Sequence, residues 1–179
     1  MRYEGQYFAH YQKLDATPMG GLLTKARLEL VEKYIDPSET VDIGIGGGRY
    51  VQEAKGRGYD VNIDAINWLD ESGIYWDVYH RDGAVKAVTC WDSLEHIPEP
   101  EKLLAQVTGW LFVSMPIYND MADCLASKHY KPGEHLHYWT LPGFVNWCED
   151  QGFQVMEVNH AESELGREGI TSFAFKRVS

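Results

Sequence analysis

The stretch TVDIGIGGGRYVQEAKGR, residues 40–57, decides the fold class. It opens with a short apolar run, Thr40–Ile45, which is predicted as a strand. Three consecutive glycines follow, and Arg49–Arg57 is predicted as a helix. A strand, a tight glycine turn and a helix in this order indicate a parallel sheet whose ligand crevice lies at the strand ends.

Further strands and helices alternate along the chain around this stretch. Helices are predicted over 21–34, 100–107 and 141–151, and strands over 58–65, 84–90, 110–115, 153–158 and 170–176. Pro116 is expected to end the strand before it. The last two strands have no predicted helix between them, so they are expected to pair as an antiparallel hairpin at the end of a mainly parallel sheet.

Composition indicates one compact domain over residues 1–179, because 44% of the residues are apolar and only 24% are charged. Sixteen Lys and Arg face 27 Asp and Glu, giving a net charge of −11, which opposes contact with nucleic acid or anionic lipid. No apolar stretch reaches the length of a membrane span or a signal peptide. Cys90, Cys124 and Cys148 form no CxxC pair, so we expect a protein of the reducing cytoplasm.

The glycine turn carries a second feature, an ordered series of acids and glycines. Its pattern D-x-G-x-G-x-G places Asp42, Gly44, Gly46 and Gly48 at the end of the first strand. Asp64 lies 22 residues beyond Asp42, at the predicted end of the second strand, where a carboxylate can bind a ribose diol. The alternative is a tight turn without a ligand and a solvated Asp64. A dinucleotide fingerprint G-x-G-x-x-G fails, because its third glycine is Arg49.

These motifs resemble those of class I S-adenosylmethionine-dependent methyltransferases of the small-molecule O-methyltransferase type, the ubiquinone-pathway enzymes among them. The resemblance covers nearly the whole chain from residue 40. It is carried by DIGIGGGRYV (42–51), VNIDA (61–65), WDSLEHIPEPEKLL (91–104), LFVSMP (111–116) and EHLHYWTLPGFVNWCEDQGFQV (134–155). It implies a Rossmann-like α/β fold with helices on both faces of the sheet and S-adenosyl-L-methionine as cofactor.

The resemblance also implies roles for individual residues. Asp42 would support the glycine turn near the methionine moiety, Gly44, Gly46 and Gly48 would allow the backbone to approach the cofactor, and Asp64 would hold the ribose. Ala65 and Ile66, directly after that acid, would flank the adenine. Asp92, at the end of the next predicted strand, is a further candidate for cofactor binding.

The chain departs from the family between its second and fourth strands. Only about twenty residues separate Asp64 from Ala84, too few for a helix, a strand and another helix. At least one helix is expected to be lost, and the third strand is expected, if present, over Ile74–Tyr79, with Asp77 as a candidate toward the adenine amine. This shortening keeps a non-catalytic S-adenosylmethionine-binding module in view.

A second group of polar residues is expected at the mouth of the same crevice. It comprises Glu95 and His96 in DSLEHI and His135 in EHLHYW. Three interpretations remain open: Glu95 and His96 cap a helix; His96 or His135 is a general base; or Glu95, His96, His135 and in addition Asp92 bind a divalent metal. The ubiquinone-pathway and small-RNA methyltransferases resemble the chain here, with a carboxylate ahead of a Glu-His pair and a later histidine.

The aromatic N-terminal segment has two interpretations. Within residues 1–20, the segment either forms a lid over the pocket, as in many family members, or belongs to a helix packed on the sheet edge; its aromatic residues are Tyr3, Tyr7, Phe8 and Tyr11.

From these motifs as a whole, we expect methyl transfer to a small-molecule acceptor, at a hydroxyl group. The alternatives are a binding module without catalysis and, with less support, a nicotinamide-dependent oxidoreductase.

Overall fold

The computed structural model describes residues 6–80 and 84–178. Its longer helices are α1 (Tyr7–Asp15), α2 (Pro18–Glu32), α3 (Arg49–Ala54), α4 (Ile63–Glu71), α5 (Pro100–Leu104), α6 (Met121–Ala126), α7 (Leu141–Asp150) and α8 (Ala161–Glu164). Its strands are β1 (Thr40–Ile43), β2 (Arg57–Tyr59), β3 (Val85–Trp91), β4 (Val107–Tyr118), β5 (Trp139–Thr140), β6 (Phe153–Asn159) and β7 (Ile170–Arg177). Short 3-10 turns lie over Pro37–Glu39 and Leu94–His96.

The strands form a sheet in the order β2-β1-β3-β4-β7-β6, with β5 paired to the end of β4. The pairs β2-β1, β1-β3 and β3-β4 are parallel, whereas β7 is antiparallel to both β4 and β6. The predicted mainly parallel α/β sheet with an antiparallel C-terminal pair is therefore confirmed.

Both faces of the sheet are covered, which the alternation of side chains along β3 makes plain. Ala87 and Trp91 join the core beneath α2 and α3, whereas Val88 and Cys90 join the core beneath α5 and α7. All four side chains are buried. Because both faces of the sheet are covered, the strands are largely apolar, and a ligand site is expected at the carboxyl ends of the parallel strands.

The predicted second strand over 58–65 is wrong in its extent. β2 ends at Tyr59, and Asn62 begins α4, its side chain accepting hydrogen bonds from the amides of Asp64 and Ala65 at 3.0 and 3.1 Å. An asparagine that satisfies the free amides of a first turn is a strong helix start. The acid at the strand end is consequently Asp60, and Asp64 lies in the first turn of α4.

Strand β4 continues through Pro116, contrary to the prediction that the proline ends it. The amide of Ile117 donates to Gly169 on the β7 side, so Pro116 faces the other side, where β3 has already ended opposite Ser114. A missing amide costs no ladder hydrogen bond there.

The connections elsewhere differ from expectation at two points. The four-residue helix α8 lies between β6 and β7, where no helix was predicted. The third family strand is reduced to one parallel bridge between Tyr75 and Gly58. One helix, α4, is kept in the shortened region, so the expected loss is confirmed and a single crossover remains.

Candidate functional site

A cavity of about 840 Å³ opens at the carboxyl ends of β1, β2 and β3. Its lining includes Gly44 and Gly46 of the glycine turn together with Glu95, His96 and His135. The sheet therefore brings together two groups of residues that are separated by about fifty positions or more in the sequence. This is the crevice that parallel α/β topology predicts.

The glycine turn forms the floor of the cavity. Gly44 has a φ of 75°, and a Cβ there would lie 2.8 Å from the Cβ of Ser93, so only glycine fits. Gly48 has a different reason to be glycine: its φ is 89°, and a Cβ would lie 2.7 Å from the Trp68 ring. Gly48 is not among the lining residues. The structure thus explains Gly48 by its close packing against Trp68, and it does not place Gly48 in the cavity, where contact with the cofactor was expected.

Asp42 lies at the base of the turn and is almost fully buried. Its carboxylate accepts a hydrogen bond of 2.7 Å from the hydroxyl of Thr89 on the neighbouring strand. Burial raises the pKa of Asp42 to about 7, although the bond from Thr89 opposes that rise. Asp42 lines the cavity, as expected, and ties β1 to β3 beneath it.

Asp60 occupies the position that the sequence analysis assigned to Asp64. Its two carboxylate oxygens accept from the amides of Ile45 and Asn62 at 2.9 and 2.8 Å, which fixes the side chain between the glycine turn and α4. Asp60 lines the cavity, and Asp64 does not. Each oxygen of Asp60 keeps a further lone pair for a hydroxyl donor.

The apolar residue next to the strand-end acid also differs from the one predicted. Val61 lines the cavity with 67% of its surface exposed, an apolar side chain open to a planar ligand. Ala65 is buried in the core beneath α4, and neither it nor Ile66 lines the cavity. Asp77, the candidate toward the adenine amine, instead accepts from the amides of Tyr79 and His80.

Glu95 is unusual among the residues that line the cavity, because its carboxyl is buried and lacks partners. The residue is 2% exposed, and within the described residues neither carboxylate oxygen has a hydrogen-bond partner. Burial, with Asp92 nearby, raises its pKa above the ordinary range. A buried carboxyl without partners is costly, so a ligand that supplies them is expected here.

Two histidines lie against Glu95. His96 Nε2 is 3.9 Å from Glu95 Oε1, and the rings of His96 and His135 are 4.7 Å apart and nearly perpendicular. His96 Nδ1 lies 2.9 Å from the carbonyl of Glu134, which only accepts, so Nδ1 carries the proton and Nε2 keeps its lone pair. Burial, followed by the neighbouring His96, lowers the pKa of His135 to about 4, so its imidazole is neutral at neutral pH.

These three side chains fit a divalent metal. One ligand atom from each of Glu95, His96 and His135 lies within 4.8 Å of the others. One carboxylate and two imidazoles suit zinc, manganese or iron. The unpartnered oxygens of Glu95 are what a cap alone does not explain, since Leu94–His96 is a short 3-10 turn and α5 begins only at Pro100.

A comparison with protein families shows to which family the chain belongs. Residues 8–158 match the family described as a methyltransferase domain. The chain belongs to the class I S-adenosylmethionine-dependent methyltransferases. The expected resemblance is confirmed, and S-adenosylmethionine is the cofactor of that class.

Curated relatives of this methyltransferase are named as ubiquinone biosynthesis O-methyltransferases. The protein from Burkholderia pseudomallei (strain 1710b) is 29% identical over 118 residues, an alignment covering 51% of each chain. The one from Cupriavidus pinatubonensis is 33% identical over 100 residues, covering 42% of this chain and 40% of the relative. The chain thus matches about half the length of the curated relatives.

Solved structures confirm the methyltransferase fold. Magnesium protoporphyrin IX methyltransferase from Synechocystis PCC 6803, with bound SAH, has a TM-score of 0.68 at 13% identity and covers 98% of this chain and 96% of its own. An S-adenosylmethionine-dependent methyltransferase from Mesorhizobium loti has a TM-score of 0.59 at 14% identity, covering 85% and 98%.

The methyltransferase site contains an ion-pair network that sequence reasoning missed. Asp92 does line the cavity, but its carboxylate bonds Arg27 of α2 and Arg167 of the loop before β7. Both arginines also bond the buried Glu162. Arg27 lies among apolar residues in its helix, and Glu162 and Arg167 follow the last recognised motif, so no local pattern marks them.

The N-terminal helix covers the methyltransferase pocket. Tyr7 and Tyr11 of α1 line the cavity, whereas Phe8 packs on Trp68 with a ring distance of 5.7 Å. One helix thus lines the cavity with two tyrosines and packs against α4 with Phe8, which is not the expected sheet-edge packing, and the lid stays a prediction. Tyr3 lies outside the described residues. Among residues 6–80 and 84–178, none of the helices combines the length and apolar character needed to cross a membrane.

Proposed function

We propose that this chain binds S-adenosylmethionine at the glycine turn and transfers its methyl group to a hydroxyl of a small molecule. The observation that carries the proposal is the position of the Glu95, His96 and His135 group in the same cavity as Gly44 and Gly46. A group that can activate a hydroxyl would therefore share one cavity with the bound cofactor.

Asp60, rather than Asp64, is the residue we assign to the ribose. Its carboxylate is fixed by two backbone amides and retains acceptor capacity toward two hydroxyls. Val61 would pack on the adenine, since it is the exposed apolar residue of the wall next to Asp60. Tyr7 and Tyr11 of α1 would close over the bound cofactor as a lid.

The reaction is an in-line displacement at the methyl carbon. The acceptor oxygen forms a bond to this carbon as the carbon–sulfur bond breaks, and sulfur keeps the electron pair, leaving S-adenosylhomocysteine. The hydroxyl proton must leave the oxygen as the bond forms. The chain contributes mostly by placing the two reactants, because the sulfonium already activates the methyl group.

We further propose that Glu95, His96 and His135 hold a divalent metal. Such a metal lowers the pKa of an acceptor hydroxyl that binds to it. The buried carboxyl of Glu95 supports this site over a histidine base alone, because a base would leave both its oxygens without partners. Lone pairs for binding come from His96 Nε2 and the neutral His135 imidazole.

The proposal is tested by calorimetric titration with S-adenosylhomocysteine and NAD, followed by acceptor assays. The assays measure S-adenosylhomocysteine release with catechols, phenols and their amine analogues, each with Mn²⁺ or with EDTA. We expect binding of S-adenosylhomocysteine alone and turnover of hydroxyl acceptors that EDTA suppresses. Turnover of amines only would refute the hydroxyl assignment, and binding without turnover of any acceptor would favour a non-catalytic module.

A further inference from the structure

Arg167 reaches the metal-site wall from far along the chain. It lies in the loop between α8 and β7, yet its Nη1 and Nη2 donate to the two carboxylate oxygens of Asp92 at 2.7 and 3.0 Å. Nη1 also donates to Glu162, whose side chain is 1% exposed. A two-bond pairing of guanidinium and carboxylate fixes orientation as well as distance.

A second arginine completes the network from the other side. Arg27 Nε and Nη2 donate to the two oxygens of Glu162 at 2.7 and 3.0 Å, and Nη2 donates to Asp92 at 3.2 Å. The guanidinium also lies 5.3 Å from the centre of the Trp91 ring. Two cations and two anions balance, so the network offers no net charge to an anionic ligand. We therefore consider which part of the backbone the network fixes.

What it holds is a turn with an uncommon backbone. Asp92 has a φ of 53°, and Lys55 is the only other non-glycine residue with a positive φ in residues 6–80 and 84–178. A non-glycine residue in this left-handed conformation is strained and persists where its surroundings hold it. Its amide donates to Ser114 at 2.8 Å, so backbone and side chain are both anchored where the chain leaves β3.

The residues that follow Asp92, Ser93 to His96, include two of the three proposed metal ligands, Glu95 and His96. The segment with the third ligand, His135, is bonded to them, because the amides of Leu136 and His137 donate to the carbonyl of Glu95 at 2.8 and 3.2 Å. The direction set at Asp92 thus determines where Glu95, His96 and His135 all lie.

We propose that Arg167 is a positioning residue for the Glu95, His96 and His135 site and acts through Asp92. This proposal rests on the metal site of the proposed function and adds one assignment to it. Asp92 is an anchor and not a fourth metal ligand, because the ligand atoms that lie close together are those of Glu95, His96 and His135, whereas the Asp92 carboxylate is turned to the two arginines.

The test compares Mn²⁺ affinity, measured by calorimetry on the full chain, for wild type, Arg167→Met, Arg167→Lys and the control Arg57→Met. Arg57 stacks on Trp76 at the β2 edge of the sheet. We expect Arg167→Met to weaken Mn²⁺ binding by about tenfold or more, as loss of a group supporting metal ligands does. Arg167→Lys should recover part of the affinity, since a cation still reaches Asp92. S-adenosylhomocysteine affinity, measured in parallel, should fall less than Mn²⁺ affinity in the Arg167 variants and stay unchanged in Arg57→Met.

The opposite result separates the two functions of Asp92. If Asp92 were a ligand held back by Arg167, Arg167→Met would leave Mn²⁺ binding unchanged or strengthen it, and the positioning proposal would be overturned. Arg167→Lys serves the same purpose if Arg167→Met does not fold.

Absence of Mn²⁺ binding in wild type would refute the metal site and not the positioning role. Crystal structures of wild type and Arg167→Met without metal then decide that role. We expect Asp92 to leave the left-handed region and the Glu95 carboxyl to move in the variant. An unmoved Asp92 and Glu95 would overturn the proposal.

Discussion

At the scale of single residues, Asp60 and Asp64 differ by environment and not by chemistry. Both are aspartates four positions apart, but only Asp60 is held at a strand end by two backbone amides and lines the cavity. Substitution of each therefore tests which of the two carboxylates binds the cofactor.

We expect Asp60→Asn to weaken S-adenosylhomocysteine binding by about 1.5–3 kcal/mol, because a charged acceptor of the ribose hydroxyls is lost. Asp64→Asn is the matched control and should bind as wild type does. Isothermal titration calorimetry measures both. Weaker binding in the Asp64 variant, with Asp60→Asn unaffected, would restore the assignment made from sequence.

The raised pKa of Asp42 predicts that the free energy of unfolding depends on pH. Its pKa rises from 3.8 to about 7 on folding, so the native state holds a proton that the unfolded chain releases between these values. Its contribution to stability is therefore complete below about pH 4 and is lost as the pH rises through about 7.

Asp42→Asn cannot ionise and should be more stable than wild type by about 2–4 kcal/mol at pH 8, with a difference that shrinks toward pH 4. Urea unfolding at several pH values measures this. Asp70→Asn, on the exposed side of α4, is the control. A stability difference for Asp42→Asn that does not vary with pH would contradict the expectation.

At the scale of elements, α1 lies directly on the glycine turn. A Cβ on Gly47 would come within 2.6 Å of the Gln12 amide nitrogen and the Tyr11 carbonyl carbon. Asp15 also accepts from the amide of Arg49 at 3.2 Å, and its carbonyl accepts from the Arg49 guanidinium at 2.6 Å. The helix and the turn are therefore one packed unit.

Gly47→Ala should displace α1, since the contacts are with backbone that cannot rotate away. We expect a loss of about 1–3 kcal/mol in the free energy of unfolding, as overpacking costs. Weaker S-adenosylhomocysteine binding should accompany it, because Tyr7 and Tyr11 would move from the cavity. Urea unfolding and calorimetry test the two effects, and a variant equal to wild type in both would show that α1 does not seat on the turn.

The short helix α8 is held to α2 by charge. Glu162 is buried between Arg27 and Arg167, and although burial opposes its ionisation, the two arginines lower its pKa to about 2. A lowered acid pKa stabilises the fold above its unfolded value of about 4.5, and that stabilisation is lost as the pH falls through about 2.

Glu162→Gln should lower the free energy of unfolding by about 3 kcal/mol at neutral pH, because two arginines lose a buried partner. The deficit should shrink in acid, where wild type is protonated as well. Glu164→Gln, exposed on the same helix, is the control and should be neutral. Thermal unfolding at neutral and acidic pH measures the difference, and equal midpoints for the two variants would contradict a stabilising network.

At the scale of the whole molecule, the proposed metal site links the turn after β3 with the loop before β5. Occupation of the site should therefore stabilise the entire fold. Mn²⁺ at about 100 times its dissociation constant should add about 2.7 kcal/mol to wild type.

Glu95→Gln should abolish this gain. Without metal, however, the variant should be as stable as wild type or more so, because it removes a buried carboxyl that lacks partners. Thermal unfolding with Mn²⁺ and with EDTA measures both, and Glu99→Gln, exposed on the following segment, is the control. A midpoint that neither Mn²⁺ nor EDTA moves in wild type would exclude a metal at this site.

The local sequence was sufficient for the features that depend on neighbouring residues. The glycine turn, the alternation of strands and helices and the antiparallel C-terminal pair follow from periodicity over short stretches. Glu95, His96 and His135 could be grouped because two motifs end at the same edge of a parallel sheet. The α/β class and the grouping of these three residues in one cavity were thus predictable from sequence alone.

Tertiary structure decided what depends on contacts between distant positions. Asn62 competes as a helix cap with an apolar run that reads as a strand, and only the backbone it adopts shows that Asp60 is the strand-end acid. Arg27 and Glu162 are 135 residues apart, and no local period brings them together. Their partners arise from how α2 and α8 pack on the sheet, because charge pairing acts through space and leaves no pattern along the chain.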